Sequence, residues 1–290
     1  MKDLYQNITI TIILYQENIV TISNCLKNLT NFKIVIIDNA GNIELKKEIE
    51  KKYKVYKYIV NKKNVGFSKA INQAIKLTDT EFILNLEADC KILINDISKL
   101  YESIKKYKDC IITTPTFYDE KSNMTYSGGP LPEKKIQLQN LNLEGDTCVD
   151  IPSTAALLFK KKDIINIGLF DEDFFIYFPD FELGRRIKSY KRSVIQIYEA
   201  KAIHEMGNLK IDNPIKKIFF RNYYYTLDEL IYYHKSNISN TTYSKLKKKI
   251  FLLIFKSFLN LMILKLTKST QSFSRVLAFY KFKKKYINKK

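Results

Sequence analysis

The chain has 290 residues, about twice a median domain length, with 46% apolar and 13% aromatic residues but only 8 Gly and 6 Pro. That composition excludes a disordered, collagen-like or low-complexity chain and leaves one large globular domain, or one domain with an appendage. Its 49 Lys and Arg against 30 Asp and Glu give a net charge of +19, which invites a nucleic-acid or membrane-surface reading until the charge is located.

The first hundred residues alternate short β-branched runs with amphipathic stretches. Strands are expected at 8–14, 33–38, 55–60 and 81–86, and helices at 19–29, 44–53 and 68–77. Such βαβαβαβ alternation predicts an α/β fold, a parallel sheet flanked by helices, with ligand groups at the carboxyl ends of the strands. Those ends carry Tyr15-Gln16-Glu17, Asp38-Asn39, the stretch 61–64 and Glu87-Ala88-Asp89. From Cys110 the pattern is less regular: a strand at 110–116, a polar stretch holding Gly128, Gly129, Pro130 and Gly145, and a buried strand at 149–159. A helix follows Lys161, then a strand at 194–198 whose strand-like character runs on to Ile203, then a helical stretch at 214–234.

The apolar run 8–14 is too short to span a membrane and lacks a basic n-region and a small-residue cleavage site, so it reads as a strand and not a signal. Cys25, Cys90, Cys110 and Cys148 have no CxxC spacing, which argues against a disulfide framework or zinc site and for a reducing cytoplasm.

The charge is local. After Glu229 there is no acidic residue, yet the last 61 residues hold fourteen Lys and one Arg, or +15, leaving +4 for the first 229. The apolar run 250–266 is interrupted by Lys256, Asn260 and Lys265 and falls short of the roughly 20 apolar residues of a spanning helix. Three readings of this tail stand open. An amphipathic helix in the membrane interface fits best, with Lys stems snorkelling and Phe and Leu facing the acyl boundary. A helix packing its apolar side on the body is the second. A nucleic-acid arm is the third and weakest, because Lys without Arg lacks the bidentate fork. The expected organisation is thus a domain over 1–240 and a basic helical extension over 241–290 that associates with the membrane surface.

Several motifs carry chemistry. Asn64-Val65-Gly66 stands where the third strand hands over to the next helix, and Gly66 allows close backbone approach there, although a loop with one Gly is also an ordinary turn. Glu87 and Asp89 emerge from a buried strand, suited either to a divalent cation or to a solvated turn. In the block 168–186 five acids interleave with six aromatics, and Asp180 stands directly before a helix among apolar neighbours that raise a carboxyl's pKa towards general-base use. His204, one of two histidines, lies at a strand end, where it is either filler or the completing ligand of a metal site.

The order of these pieces resembles the family 2 glycosyltransferases of GT-A fold, and especially a rhamnosyltransferase-like branch. The matching residues are 12–16, 35–40, 61–67 with Ala70 and Asn72, 84–89, 168–175, 177–180 and 202–204, within a match over roughly 8–235. The resemblance implies a GT-A, Rossmann-like, mostly parallel sheet and a nucleotide-sugar site. By it, Tyr15 and Asp38 contact base and ribose, Asn64 and Gly66 form the loop near the nucleotide, and Glu17, Asn72 and Glu87 join them. Asp89 is the metal-binding acid for Mg²⁺ or Mn²⁺, His204 a partner for metal or diphosphate, and Asp180 the base that deprotonates the acceptor hydroxyl. The implied activity is metal-dependent, inverting transfer of a hexose or deoxyhexose from a nucleoside diphosphate-sugar, UDP or dTDP rather than GDP. The implied acceptor is a hydroxyl of a bacterial-type surface glycan or lipid-linked glycan; the cysteine usage and the basic tail add the expectation of a cytoplasmic protein held peripherally at the inner face of an anionic cell membrane. A catalytically impaired relative that binds nucleotide-sugar or glycan at the membrane is the alternative, and nucleic acid is not an expected partner. Three positions depart from the family pattern: Pro179 stands where Glu usually precedes the base, Gln16 where Asn is common, and Ala74 where Gly is frequent.

Overall fold

Isoleucine alternation builds the sheet. The computed structural model describes residues 2–126, 128–129, 131, 144–204, 211–237 and 241–288; Pro130 of the polar stretch lies outside them. In chain order the elements are α1 (Lys2–Asn7), β1 (Ile8–Leu14), α2 (Ile19–Leu26), β2 (Lys33–Asp38), α3 (Ile43–Lys52), β3 (Lys57–Val60), α4 (Phe67–Leu77) and β4 (Phe82–Glu87). There follow β5 (Cys90–Ile92), α5 (Ile94–Lys106), β6 (Cys110–Tyr118), β7 (Met124–Tyr126), β8 (Thr147–Val149), β9 (Ala156–Lys160), α6 (Lys161–Asn166), α7 (Pro179–Ser189) and β10 (Ser193–His204). Three long helices close the chain: α8 (Pro214–Lys235), α9 (Thr241–Met262) and α10 (Leu266–Phe282), the last ending in a π-helical turn at Lys283–Ile287.

The chain divides into two compact units, one of residues 1–172 and 180–208, the other of 173–179 and 209–290. The sequence boundary at 240 therefore falls inside the second unit, which also takes in α8.

In the first unit the strand order is β3-β2-β1-β4-β9-β6-β10-β5, with β7 beside β6 and β8 beside β10. β1 to β4 pair in parallel, as does β10 with β6, while β9, β5, β7 and β8 are antiparallel insertions. The central strands β1, β2, β4, β6 and β9 are buried on both faces. Ile8, Ile10, Ile12 and Leu14 of β1 and Ile34 and Ile36 of β2 pack with Ile22 of α2, Ile49 of α3 and Leu100 of α5. On the opposite face, Val35 and Ile37 meet Ala70 and Ala74 of α4, and Ile83 meets Ile71, Ile164 of α6 and Leu183 of α7. Ala74, the departure from Gly, is fully buried there without strain in its helix. Helices thus cover both sides, and the loops at the carboxyl ends of β1 to β4 gather at one edge.

Two of the expected elements are each split in two. The single strand at 149–159 is two, β8 and β9, because Asp150 to Ala155 leave the ladder: Pro152 has no N–H to give, and the Asp150 carboxylate holds Lys188 and the Leu131 N–H instead. The apolar run at 250–266 is no single helix. Leu264 adopts a left-handed φ of 55°, and the chain turns from α9 into α10.

In the second unit, α10 packs on both α8 and α9. Ile250 on α9 meets Val276 and Phe279 on α10, with Leu246 and Leu253 beside them. The outward face of α9 is apolar too: Phe251, Phe255 and Phe258 are 82%, 60% and 62% exposed. Among the described residues, no helix is long and apolar enough to cross a membrane.

Candidate active site

Strand register assembles the central cluster. β4 ends at Glu87, and a two-residue turn, Ala88-Asp89, with Ala88 buried and Asp89 half-buried, leads into β5. β5 pairs antiparallel with the end of β10 so that His204 stands opposite Cys90. His204 Nε2 thereby lies 3.1 Å from a Glu87 oxygen and 3.5 Å from an Asp89 oxygen. One ligand atom from each residue lies within 4.8 Å of the other two, the one such cluster found among the described residues. Beneath it, the Glu87 N–H donates to the Ala155 carbonyl and Asn85 Nδ2 to the Thr154 carbonyl at 2.7 Å, while Thr154 Oγ1 donates to Glu87 at 3.5 Å. Burial works against a charged imidazole at His204, but its hydrogen bonds to Asp89 and Glu87 and their charges win and push its pKa up to about 10. Two carboxylates and an imidazole with their donor atoms already convergent fit a divalent cation, and Glu87, Asp89 and His204 are the residues that would hold it.

Asp180 sits in the first turn of α7, where Pro179 at the helix start fixes φ and gives up an N–H that has no intrahelical partner anyway. Its carboxylate accepts the Phe181 N–H at 3.0 Å. Burial, reinforced by the charge of Glu87 and opposed by the backbone N–H groups, pushes its pKa up to about 7. Gly184, one turn further along α7, lies so close to the Asp150 carbonyl that a Cβ there would come within 1.9 Å of it.

The other expected residues line the ends of β1 to β3. The Tyr15 N–H donates to Glu17 across a turn in which Gln16 has a left-handed φ of 65°. Asn tolerates that region better than Gln, which gives a physical reason for the family's Asn at this position. Asp38 is fully buried, accepts the Ala40 N–H at 2.6 Å and the Tyr58 hydroxyl at 3.5 Å, and has its pKa raised by burial against those bonds. Asn64 Oδ1 accepts the Gly66 N–H at 2.9 Å, and Asn39 Nδ2 donates to the Gly66 carbonyl. Gly66 itself has φ 87° and opens α4, so an L side chain there would be strained. Asn72 lies apart: its amide donates to the Phe170 carbonyl and to Glu172 and accepts the Phe170 N–H, tying α4 to the acid-rich block.

A glycosyl transferase family 2 model matches residues 9–164, more than half the chain. The chain belongs to this family. The dTDP-rhamnosyl transferase RfbF of Shigella flexneri is 23% identical to this glycosyltransferase over 229 residues, 73% of this chain and 77% of the relative. Among solved structures, GalNAc-T7 with UDP, GalNAc and Mn²⁺ superposes with a TM-score of 0.59 at 14% identity, covering 76% of this chain and 50% of its own, so that this chain spans about half its length. The mannosyltransferase PcManGT of Pyrobaculum calidifontis, in complex with GDP-Man and Mn²⁺, gives 0.55 at 12% identity over 95% of this chain and 86% of its own. The fold of this glycosyltransferase is therefore GT-A.

The residues that hold segment 173–179 carry no motif in the sequence. In the second unit, the buried carboxylate of Asp228 on α8 accepts the N–H groups of Phe175, Ile176 and Tyr177 at 2.9–3.1 Å. Asp173 is gripped by Lys235 and Lys285, which hold its carboxyl below the usual range despite the opposing effect of burial. Phe175 stacks on Tyr224 with ring centroids 3.8 Å apart. An aromatic-rich helix carrying one Asp was the only local signal of this role.

Proposed function

We propose that this family 2 enzyme transfers a hexose or deoxyhexose from a nucleoside diphosphate-sugar to a hydroxyl of a surface or lipid-linked glycan, with inversion and with Mg²⁺ or Mn²⁺. The observation that carries the reading is the convergence of Glu87, Asp89 and His204 in one unit with a helix-borne Asp180 that feels the charge of Glu87. The bound cation would offset charge on the leaving diphosphate. Asp180 in its ionised form accepts the proton of the acceptor hydroxyl as the new C–O bond forms and the bond to the diphosphate breaks, and no covalent intermediate is required. Tyr15, Glu17, Asp38, Asn64 and Gly66 serve the nucleotide at the strand ends, and Asn72 serves it by fixing the 170–172 segment.

The relative named for dTDP-rhamnose supports a thymidine or uridine donor and a deoxyhexose. The exposed Phe face of α9 between clusters of Lys supports peripheral attachment to an anionic membrane, where each Lys near the surface contributes about 1 kcal/mol. A panel of nucleoside diphosphate-sugars assayed with Mn²⁺ and lipid acceptor for released nucleoside diphosphate tests the reading. Turnover with one donor supports it; silence across the panel favours a binding protein instead.

A further inference from the structure

Four cations of the helical unit face one cavity. Lys217 and Arg221 on α8 and Lys268 and Arg275 on α10 line a space of about 660 Å³ whose lining contains no acidic residue. None of the four side chains makes an ion pair or hydrogen bond with a described residue, although Glu229 feels the charge of Arg275. Like charges drawn round one space repel unless an anion joins them.

The residue types sharpen this. Lys outnumbers Arg 44 to 5 in the chain, yet two of the five Arg stand here. Arg186 and Arg192 are committed to Glu182 and Asp163. Arg221 and Arg275 keep their planar forks for something else, and that fork matches phosphate oxygens in pairs. Asn222, Gln271 and Thr267 add neutral donors to the lining. Thr267 and Lys268 lie in the first turn of α10, whose N-cap Lys265 supplies no side-chain cap, so the positive end of a 17-residue helix adds to the field. Directly before Thr267 the turn out of α9 exposes Met262, Leu264 and Leu266. An anionic head and an apolar tail are thus provided for side by side.

We propose that this cavity binds the phosphate or diphosphate ester of a lipid-linked glycan carrier. The inference rests on the reading of the acceptor as lipid-linked. Its test is binding to the full chain in EDTA, which prevents any cation from bridging a diphosphate to Glu87, Asp89 and His204. Inorganic diphosphate and farnesyl diphosphate are titrated by calorimetry. Both bind the wild-type protein, and farnesyl diphosphate binds at least tenfold more tightly. The pair Arg221→Gln/Arg275→Gln weakens both at least tenfold, Lys217→Gln/Lys268→Gln weakens both as well, and Asp89→Asn changes neither. Wild-type affinity in both double variants, or loss of binding in Asp89→Asn, overturns the site. Equal affinity for the two probes overturns the lipid carrier as its ligand. Diphosphate binding that fails while the wild-type protein turns over a donor sinks this inference alone; intact binding without any donor turnover sinks the preceding reading alone.

Discussion

The sheet-bearing unit and the helical unit distribute charge in opposite ways. In the first, strand register drives Glu87, Asp89 and His204 together, a net negative cluster that invites a cation. In the second, Asp228 is taken up by three backbone N–H groups and Asp173 by two lysines, while Lys217, Arg221, Lys268 and Arg275 make no ion pair with a described residue. The same chain therefore prepares one site for a cation and another for an anion. What decides each is which charges the backbone has already satisfied, not the net charge of +19.

The largest expected effect falls on the first unit. Asp180→Asn should lower kcat by about 10³-fold while leaving the donor's Kd within a few-fold, read by steady-state turnover and nucleotide binding. Removing a helical-unit carboxylate should act on stability instead. Asp228→Ala leaves three N–H groups without their acceptor and should cost about 3 kcal/mol, a fall in Tm of roughly 6–12 °C by calorimetry. Gly184→Ala forces α7 away from the Asp150 carbonyl, with an expected cost of about 2 kcal/mol and a fall in kcat, since α7 carries Asp180.

Titration separates the units further. Asp180 must be ionised to accept a proton, so kcat/KM should rise with pH through a limb near 7, and a cation on Glu87 and Asp89 would draw that limb lower. Asp228 and Glu229 also have their pKa values pushed up to about 7 by burial. Between the ordinary carboxylate range and 7 the native state then binds more protons than the unfolded one, so stability should fall as pH rises from about 5 to 7. Thermal melts across that window should show Tm declining, and Asp228→Asn should flatten the decline. The smallest effect concerns the α9 face. Because α10 packs on α8, truncation at 240 would strip a partner from α8, so Phe251→Ser/Phe255→Ser/Phe258→Ser is the cleaner variant. It should weaken sedimentation with phosphatidylglycerol vesicles about tenfold and leave turnover on a water-soluble acceptor unchanged.

Much of the first unit was legible because its strands are local. β1, β2 and β4 are short apolar runs, and Glu87 and Asp89, one residue apart, follow directly where the last of them ends. The strand-end position of His204 and the resemblance point to it as a metal ligand, but the geometry that brings it to Glu87 and Asp89 was not legible. It depends on a 12-residue β10 whose pairing with β6 shifts register between Ile197 and Lys201, and on β5, three residues that form a strand only because β10 is there to pair with them. The clamp on 173–179 was hidden for the same reason: nothing near Asp228 announces three N–H groups from fifty residues earlier. The α9–α10 turn was hidden because an apolar run gives no sign that Leu264 will adopt a left-handed conformation.

Glu87, Asp89 and His204 are the residues that would hold a cation beside Asp180. The decisive measurement is nucleoside diphosphate release from the donor that the wild-type protein turns over, followed across a Mn²⁺ titration in wild-type, Asp89→Asn and Asp180→Asn proteins. Saturable Mn²⁺ dependence is expected in the wild type, a shifted or absent dependence in Asp89→Asn, and unchanged Mn²⁺ affinity with turnover down about 10³-fold in Asp180→Asn. Wild-type turnover in EDTA, or in either variant, would contradict this assignment.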